Sequence, residues 1–339
     1  MVFSLPVLAQ TATPEPLVAH RIAPRSVRIS LTDRCDMACI YCRPSMHDGY
    51  VAAEERLDES AWDTLLSSLI SQGIRRVRIT GGEPLLYRGL LPLVARIRAL
   101  ELDDLALTTN ASRLEALAQP LRDAGLDRMN ISLDSLDPQR FAAMTRGGNL
   151  AQVLAGIDAA QRAGFTDLKT NTVVLADHND DELVAITEWA WHKNMTPRFI
   201  EVMGVGEGAH LFRTHAVGYT RMRRALAHLL SDDEARTEKD RGPAKYARSR
   251  DGAHRVGFIT GTTHTYCDEC DRLRVSSTGT LRACLARNEG VDVSEAARMG
   301  DSRALSEGLA EAWRMKPDAN FKGCTEESAA AVSMRATGG

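Results

Sequence analysis

The chain has 339 residues, about two domains' worth of material or one barrel-type domain with an extension. Its 42 Lys and Arg against 45 Asp and Glu exclude a global attraction to nucleic acid or to a membrane surface, so any anion must be held by a local cluster of bases. A hydrophobic content of 44% without a long apolar run is that of an ordinary globular protein with no membrane span.

Residues 1–20 read as a mobile leader. They carry a short apolar patch but no basic n-region, so an export signal is not expected. The expected location is cytoplasmic, where clustered cysteines serve as metal ligands or catalysts rather than disulfides. The seven cysteines are an odd number.

Short β-rich runs then alternate with amphipathic helical runs. The periodicity predicts strands at 26–32 (SVRISLT), 75–80 (RRVRIT), 105–109 (LALTT), 128–133 (RMNISL), 168–174 (LKTNTVV) and 197–202 (PRFIEV). Between them it predicts helices at 58–72, 90–100, 114–124, 150–163 and 180–193, with Gly125 and Gly164 closing the third and fourth. Leu57, Trp62, Leu65, Leu66 and Leu69 share one face of the first helix. This alternation argues for an α/β fold of parallel strands with right-handed crossovers, as an open sheet or a partial β/α barrel. Both forms place ligands at the C-terminal ends of the strands.

After residue 204 the pattern changes. Residues 204–218 are Gly-rich and read as irregular, and 232–241 as a solvated charged segment. Helices are expected at 291–299 and 302–315, and the small, polar tail from 322 reads as mobile. The division expected is a leader at 1–20, a β/α unit at 21–204, a second cysteine-bearing region at 205–325 and a flexible tail at 326–339 ending Gly338-Gly339.

Cys35, Cys39 and Cys42 form CxxxCxxC directly after the first strand. Three thiolates in one loop can each take one iron of a [4Fe–4S] cubane and leave the fourth iron open. Zinc usually pairs C-x-x-C with a second pair, which this triplet does not supply. A second triplet, Cys267, Cys270 and Cys284, has spacing that leaves zinc, with His264 or another group as fourth ligand, and iron–sulfur equally open. Arg272-Leu273-Arg274 follows it; if extended, its two arginines face one way, toward a planar or phosphate-bearing ligand. A solvated basic edge strand is the plainer reading of the same three residues.

With Tyr41 before the third cysteine and Thr80-Gly81-Gly82-Glu83-Pro84 ending the second strand, the first triplet resembles the radical S-adenosylmethionine (SAM) superfamily. Glycines allow close backbone approach, and a carboxylate accepts from an ammonium, as binding the SAM amino group requires. The stretches RISLTDRCDMACIYC, RITGGEPLL, NISLDSLDP, NTVVLADHND, RFIEVM, GFIT and CDECDRLR, with the terminal Gly-Gly, resemble one family within it, the GTP 3′,8-cyclases of molybdenum cofactor biosynthesis.

The resemblance implies a partial β/α barrel of the radical SAM type with a C-terminal Fe–S-binding extension. It implies two [4Fe–4S] clusters, the first on Cys35, Cys39 and Cys42 and the second on Cys267, Cys270 and Cys284. SAM contacts carry over to Tyr41, Gly82, Ser132 and Met203. GTP contacts carry over to Arg28, Arg78, Thr109, Lys169, Arg272 and Arg274, and a further arginine near the substrate to Arg198. A 5′-deoxyadenosyl radical would remove the 3′ hydrogen of GTP, and the ribose carbon would then bond to C8 of the guanine. A reductant such as flavodoxin or ferredoxin and a cyclic pyranopterin monophosphate synthase are the implied partners, and a homodimer is left open. Without the resemblance, Ser132 and Thr109 read as strand-end hydroxyls and Met203 as core filler. The isolated cations read as surface charges.

Asp271, Gly204, Ala283 and Asn320 depart from the family's usual Asn, Pro, Pro and His. Asp271 is expected to add negative charge near a triphosphate, and Cys324 to have no role. Two other readings fit part of the pattern: another radical SAM enzyme with an auxiliary cluster, and an inactive Fe–S-binding paralogue.

Overall fold

The structure is a computed structural model and describes residues 23–43, 49–235, 237, 242–317 and 334. The leader, Asn320, Cys324 and Gly338-Gly339 lie outside the described residues.

The chain runs β1 (Ser26–Ser30), α1 (Glu59–Ser71), β2 (Arg76–Thr80), α2 (Leu90–Arg98), β3 (Asp104–Thr109), α3 (Leu114–Asp123) and β4 (Arg128–Ser132). It continues through α4 (Pro138–Thr145), α5 (Leu150–Arg162), β5 (Leu168–Val174), α6 (Leu183–His192) and β6 (Thr196–Glu201). All six strands and five helices expected in this stretch form, with ends shifted by a few residues. The additional helix α4 is set by Asp137, whose carboxylate accepts from the Gln139 and Arg140 amides (2.9 and 2.8 Å), and by Pro138 in the first turn. Asp58 caps α1 in the same way, accepting from Ala61 N at 2.8 Å.

Beyond β6 come α7 (Gly208–His215), α8 (Tyr219–Ala225), β7 (Leu230–Glu234), β8 (Lys245–Ser249), β9 (Arg255–Ile259), β10 (Arg272–Val275), β11 (Thr280–Arg282), β12 (Val291–Asp292), α9 (Ser294–Met299) and α10 (Ser302–Arg314). The stretch read as irregular therefore holds a helix, α7, whose Leu211 and Phe212 pack with Met144, Leu175 and Val202. The charged stretch begins as the exposed end of β7. The helix expected at 291–299 begins only at Ser294. Val291 and Asp292 instead pair with β11, and the Asp292 carboxylate accepts from Ser294 N (2.8 Å) where the helix opens.

The strands form one 12-stranded sheet in the order β12-β11-β10-β1-β2-β3-β4-β5-β6-β9-β8-β7. Every neighbouring pair from β10 through β9 is parallel. The outer strands are antiparallel, and the sheet does not close on itself. The fold is thus an incomplete β/α barrel, and its C-terminal strands extend both edges of that barrel.

Side chains alternate across each strand. Val27, Ile29, Val77, Ile79, Leu105, Leu107, Met129, Ile131, Leu273 and Val275 pack outward against the helices in one large core. The residues between them, including Arg28, Arg78, Ser132, Asn171, Arg198, Arg272 and Arg274, line the interior. The alternation that buries the core therefore turns a set of cations inward.

Candidate active site

The loop after β1 carries the first cysteine triplet and is held from two sides. Ala38 N and Ile40 N donate to the Thr145 and Met144 carbonyls at the end of α4 (3.0 and 2.9 Å). Gly82 N and Glu83 N donate to the Thr32 and Arg34 carbonyls (2.6 and 2.7 Å). A Cβ on Gly82 would fall on the Arg34 carbonyl, so the glycine lets the end of β2 lie against the cysteine loop. That use of the glycine, close approach to the chain's own loop, is additional to the approach to a ligand that the sequence suggested.

Glu83 is buried and accepts from Leu85 N (2.9 Å), Thr109 Oγ1 (2.7 Å) and Asn110 N (2.7 Å). Burial pushes its carboxyl up to about 7 despite those donors. Burial and then Glu83 push the Cys35 thiol up to about 12. Burial and then Asp134 hold the Cys39 thiol well above its usual range. Both would be protonated on their own, and a cationic cluster is what deprotonates thiols so enclosed. Tyr41 donates its hydroxyl to Asp134 (2.6 Å).

All three cysteines line one cavity together with Tyr41, Gly82, Ser132 and Met203. Among the described residues no three Cys, His, Asp or Glu side chains converge on a point where a single ion would sit. The ligands of a cubane are instead distributed over different irons. Three cysteines lining one cavity are a donor set that fits an open-sited cluster.

The same cavity holds the cations. Arg28 stands in register with Arg78 on β2 and with Arg274 on β10, so three arginines form a row across neighbouring strands. One step toward the strand N-termini, Ser26 is in register with Arg76 and Arg272. Enclosure, then Arg274 and Arg78, depresses the Arg28 pKa well below its ordinary value. Enclosure, then Arg128 and Arg198, brings Arg78 down to about 9, and enclosure, then Arg272, brings Arg274 to about 10. Arg198 is lowered by burial and donates to Asn130 Oδ1 at 2.5 Å. Among the described residues, the buried Nε atoms of Arg78 and Arg198 have no hydrogen-bond partner. Like charges so enclosed repel one another, and a bound polyanion removes that cost.

Lys169, expected among the GTP contacts, is not among the residues that line this cavity; it is in an ion pair with Asp167, and burial brings it down to about 8 although Asp167 opposes the shift. Thr109 reaches the cavity wall, but its hydroxyl already donates to Glu83 and accepts from Ala111 N (2.9 Å).

The second triplet brackets the N-terminal end of β10, Cys267 and Cys270 before it and Cys284 after β11. The first lies past the C-terminal end of β1. Since β1 and β10 are parallel neighbours, the triplets sit toward opposite ends of adjacent strands with the arginine row between them. Cys267, Cys270 and Cys284 line a recess with Tyr266, Arg272, Arg274 and Lys316. Arg272 stacks over Tyr266 at 4.7 Å. Burial pushes the Cys270 thiol up, but Arg272 and Lys316 outweigh it and bring it to about 7. His264 is turned elsewhere, with its Nδ1 3.2 Å from Thr263 Oγ1 and its ring against Tyr219.

Sequence reasoning missed several neighbours. Asn110 and Asp134 are not among the expected site residues. Asn110 accepts from Ser112 N (2.9 Å), and its amide also donates to Asp36 (2.8 Å) beside Cys35. Lys316 and Arg76 gave no motif signal. Asp271 does add a negative charge, but its carboxylate is paired with Arg76. The Ala283 carbonyl accepts from Lys316, and Gly204 lies beside Phe212. Met334, near the C-terminus, lines the main cavity and packs with Val205 and Ala286.

Comparison with known proteins decides the family. The Radical SAM superfamily model matches residues 29–190, and the Molybdenum Cofactor Synthesis C model matches 195–322. A GTP 3′,8-cyclase of Ectopseudomonas mendocina is 40% identical over 319 residues, covering 92% of this chain and 95% of its own. The chain belongs to the GTP 3′,8-cyclase family of radical SAM enzymes. A second relative, the GTP 3′,8-cyclase of Marinobacter nauticus, is 39% identical with the same coverage.

The fold is shared beyond the GTP 3′,8-cyclases. SuiB of Streptococcus suis bound to S-adenosylmethionine aligns with a TM-score of 0.59 at 16% identity, over 89% of this chain and 67% of that one. anSMEcpe with bound AdoMet aligns at 0.55 and 13%, over 92% and 90%. Radical SAM membership implies SAM and an iron–sulfur cluster. Among the described residues no helix is long and apolar enough to cross a membrane.

Proposed function

We propose that this chain is a cytoplasmic lyase that converts GTP to 3′,8-cyclo-7,8-dihydro-GTP, the first step of molybdenum cofactor biosynthesis. The observation that carries the reading is the row Arg78–Arg28–Arg274 between two cysteine triplets. A nucleoside triphosphate supplies the multiple negative charges such a row lacks.

In this reading Cys35, Cys39 and Cys42 hold one [4Fe–4S] cluster, with Tyr41, Gly82, Ser132 and Met203 around its SAM. When bound, that group supplies a 5′-deoxyadenosyl radical able to take the 3′ hydrogen of a ribose. Cys267, Cys270 and Cys284 hold a second [4Fe–4S] cluster on the guanine side. Arg28, Arg78, Lys169, Arg198, Arg272 and Arg274 bind the phosphates and fix the ribose between the two sites. Thr109 acts through Glu83 as well as on the nucleotide. An external one-electron donor such as flavodoxin or ferredoxin supplies the reducing electrons, and a cyclic pyranopterin monophosphate synthase takes the product.

The test is an anaerobic assay of the iron-reconstituted protein with SAM, dithionite and GTP. Both 5′-deoxyadenosine and a cyclised nucleotide are expected. Arg272→Ala and Arg274→Ala should keep SAM cleavage and lose the nucleotide product; an unchanged product would count against GTP as substrate.

A further inference from the structure

Lys316 lies just beyond α10, outside every motif of the chain. Its backbone amide donates to the Trp313 carbonyl (3.1 Å), and its ammonium sits 4.5 Å from the Trp313 ring centre. Trp313 is buried in the main core, so α10 fixes where the lysine emerges.

The ammonium donates to Cys270 Sγ (3.3 Å), to the Arg272 carbonyl (3.1 Å) and to the Ala283 carbonyl (3.0 Å). An ammonium has three donors and can serve several acceptors at once. The acceptors come from two different segments. Cys270 and Arg272 lead into β10, and Ala283 leaves β11 one residue before Cys284. One side chain therefore ties the segment bearing Cys270 to the segment bearing Cys284.

We propose that Lys316 is a positioning residue for the second cluster, setting the separation of Cys270 and Cys284 and holding that cluster at a higher reduction potential than a neutral side chain would. The inference rests on the two-cluster reading above. Reduction adds negative charge to a cluster, and a cation hydrogen-bonded to a ligand sulfur favours the more negative state. At the first triplet, burial and then carboxylates, Glu83 and Asp36 for Cys35 and Asp134 for Cys39, raise the thiols, and among the described residues no cation is hydrogen-bonded to Cys35 or Cys39.

The experiment is an anaerobic redox titration of the full-length reconstituted protein followed by electron paramagnetic resonance. It compares the wild type with Lys316→Met and Lys316→Arg, with signals assigned through Cys35→Ser and Cys267→Ser. The midpoint of the second-cluster signal should move negative in Lys316→Met, stay near wild type in Lys316→Arg, and leave the first-cluster midpoint in place. Loss of one cluster's iron in Lys316→Met with retention in Lys316→Arg would equally support the positioning role. An unchanged second-cluster midpoint in fully loaded Lys316→Met would overturn the proposal alone. A wild-type protein that takes up only one cluster would overturn the two-cluster reading and the proposal with it.

Discussion

The carboxylate of Asp271 is paired with the guanidinium of Arg76, although 195 positions separate them in the chain. Asp271 also accepts from the Arg25 and Ser26 amides through its carbonyl (3.1 and 3.3 Å), which fixes β10 against β1. Its negative charge is spent on a cation at the N-terminal end of the barrel and does not face the row above.

Asp271→Asn should therefore release Arg76. GTP affinity should rise by about threefold to tenfold, as one freed charge acts on a polyanion in a partly screened site. The ligand-free fold should lose about 1–3 kcal/mol, because a partly buried cation loses its partner. Titration calorimetry with GTP and GMP, and thermal melts, check both. A fall in GTP affinity would mean that Asp271 holds Arg76 in a productive position.

Arg28→Met removes the centre of the arginine row. The ligand-free protein should become more stable by about 1–2 kcal/mol, since a like charge leaves the enclosed cluster. GTP affinity should fall by roughly 30- to 1000-fold, as expected when a charge-assisted contact is lost. Melting curves with and without GTP read both effects. A variant destabilised without ligand would contradict the account of the row as a strained, ligand-ready cluster.

Proton uptake should accompany nucleotide binding. Burial, with Asp167 in opposition, brings Lys169 to about 8, and enclosure brings Arg78 to about 9. Both are lowered, so both are protonated well below pH 8 and lose charge as pH rises. An anion raises both values, so binding near pH 8 should take up roughly half a proton from Lys169 alone. The uptake should fade toward pH 6.5, where these groups are already charged. Calorimetry in two buffers of different ionisation enthalpy measures it. No uptake at pH 8 would show that neither cation meets the phosphates.

Gly82→Ala should disrupt the first cluster site more than the fold. Its Cβ would fall on the Arg34 carbonyl, and the contact between β2 and the cysteine loop must open. The cost should be about 2–4 kcal/mol, felt as loss of the first cluster's iron and of SAM binding. Iron analysis with SAM titration checks it, and unchanged SAM affinity would contradict the close-approach role.

Much of this was legible in the sequence. Val27 and Ile29 around Arg28 gave the first strand and its apolar face, whereas Arg28 alone read as a surface cation and Arg272-Leu273-Arg274 put its arginines on one side only if extended. The C-terminal strands were not legible. β11 and β12 are too short to show a period, and β7 is mostly polar and exposed. Their pairing is set by the edges of the barrel that they extend. Lys316 and Asp271 escaped for a related reason. A single charged residue acquires meaning only from partners brought in from distant segments, and no local pattern records them.

The central claim, hydrogen removal from C3′ of GTP, is tested most directly with GTP deuterated at that carbon. The reconstituted protein is incubated anaerobically with SAM and dithionite, and the 5′-deoxyadenosine and nucleotide are analysed by mass spectrometry. Deuterium in the 5′-deoxyadenosine, with a cyclised nucleotide that keeps its triphosphate, is the predicted result. 5′-Deoxyadenosine free of deuterium, formed at the same rate with and without GTP, would contradict it.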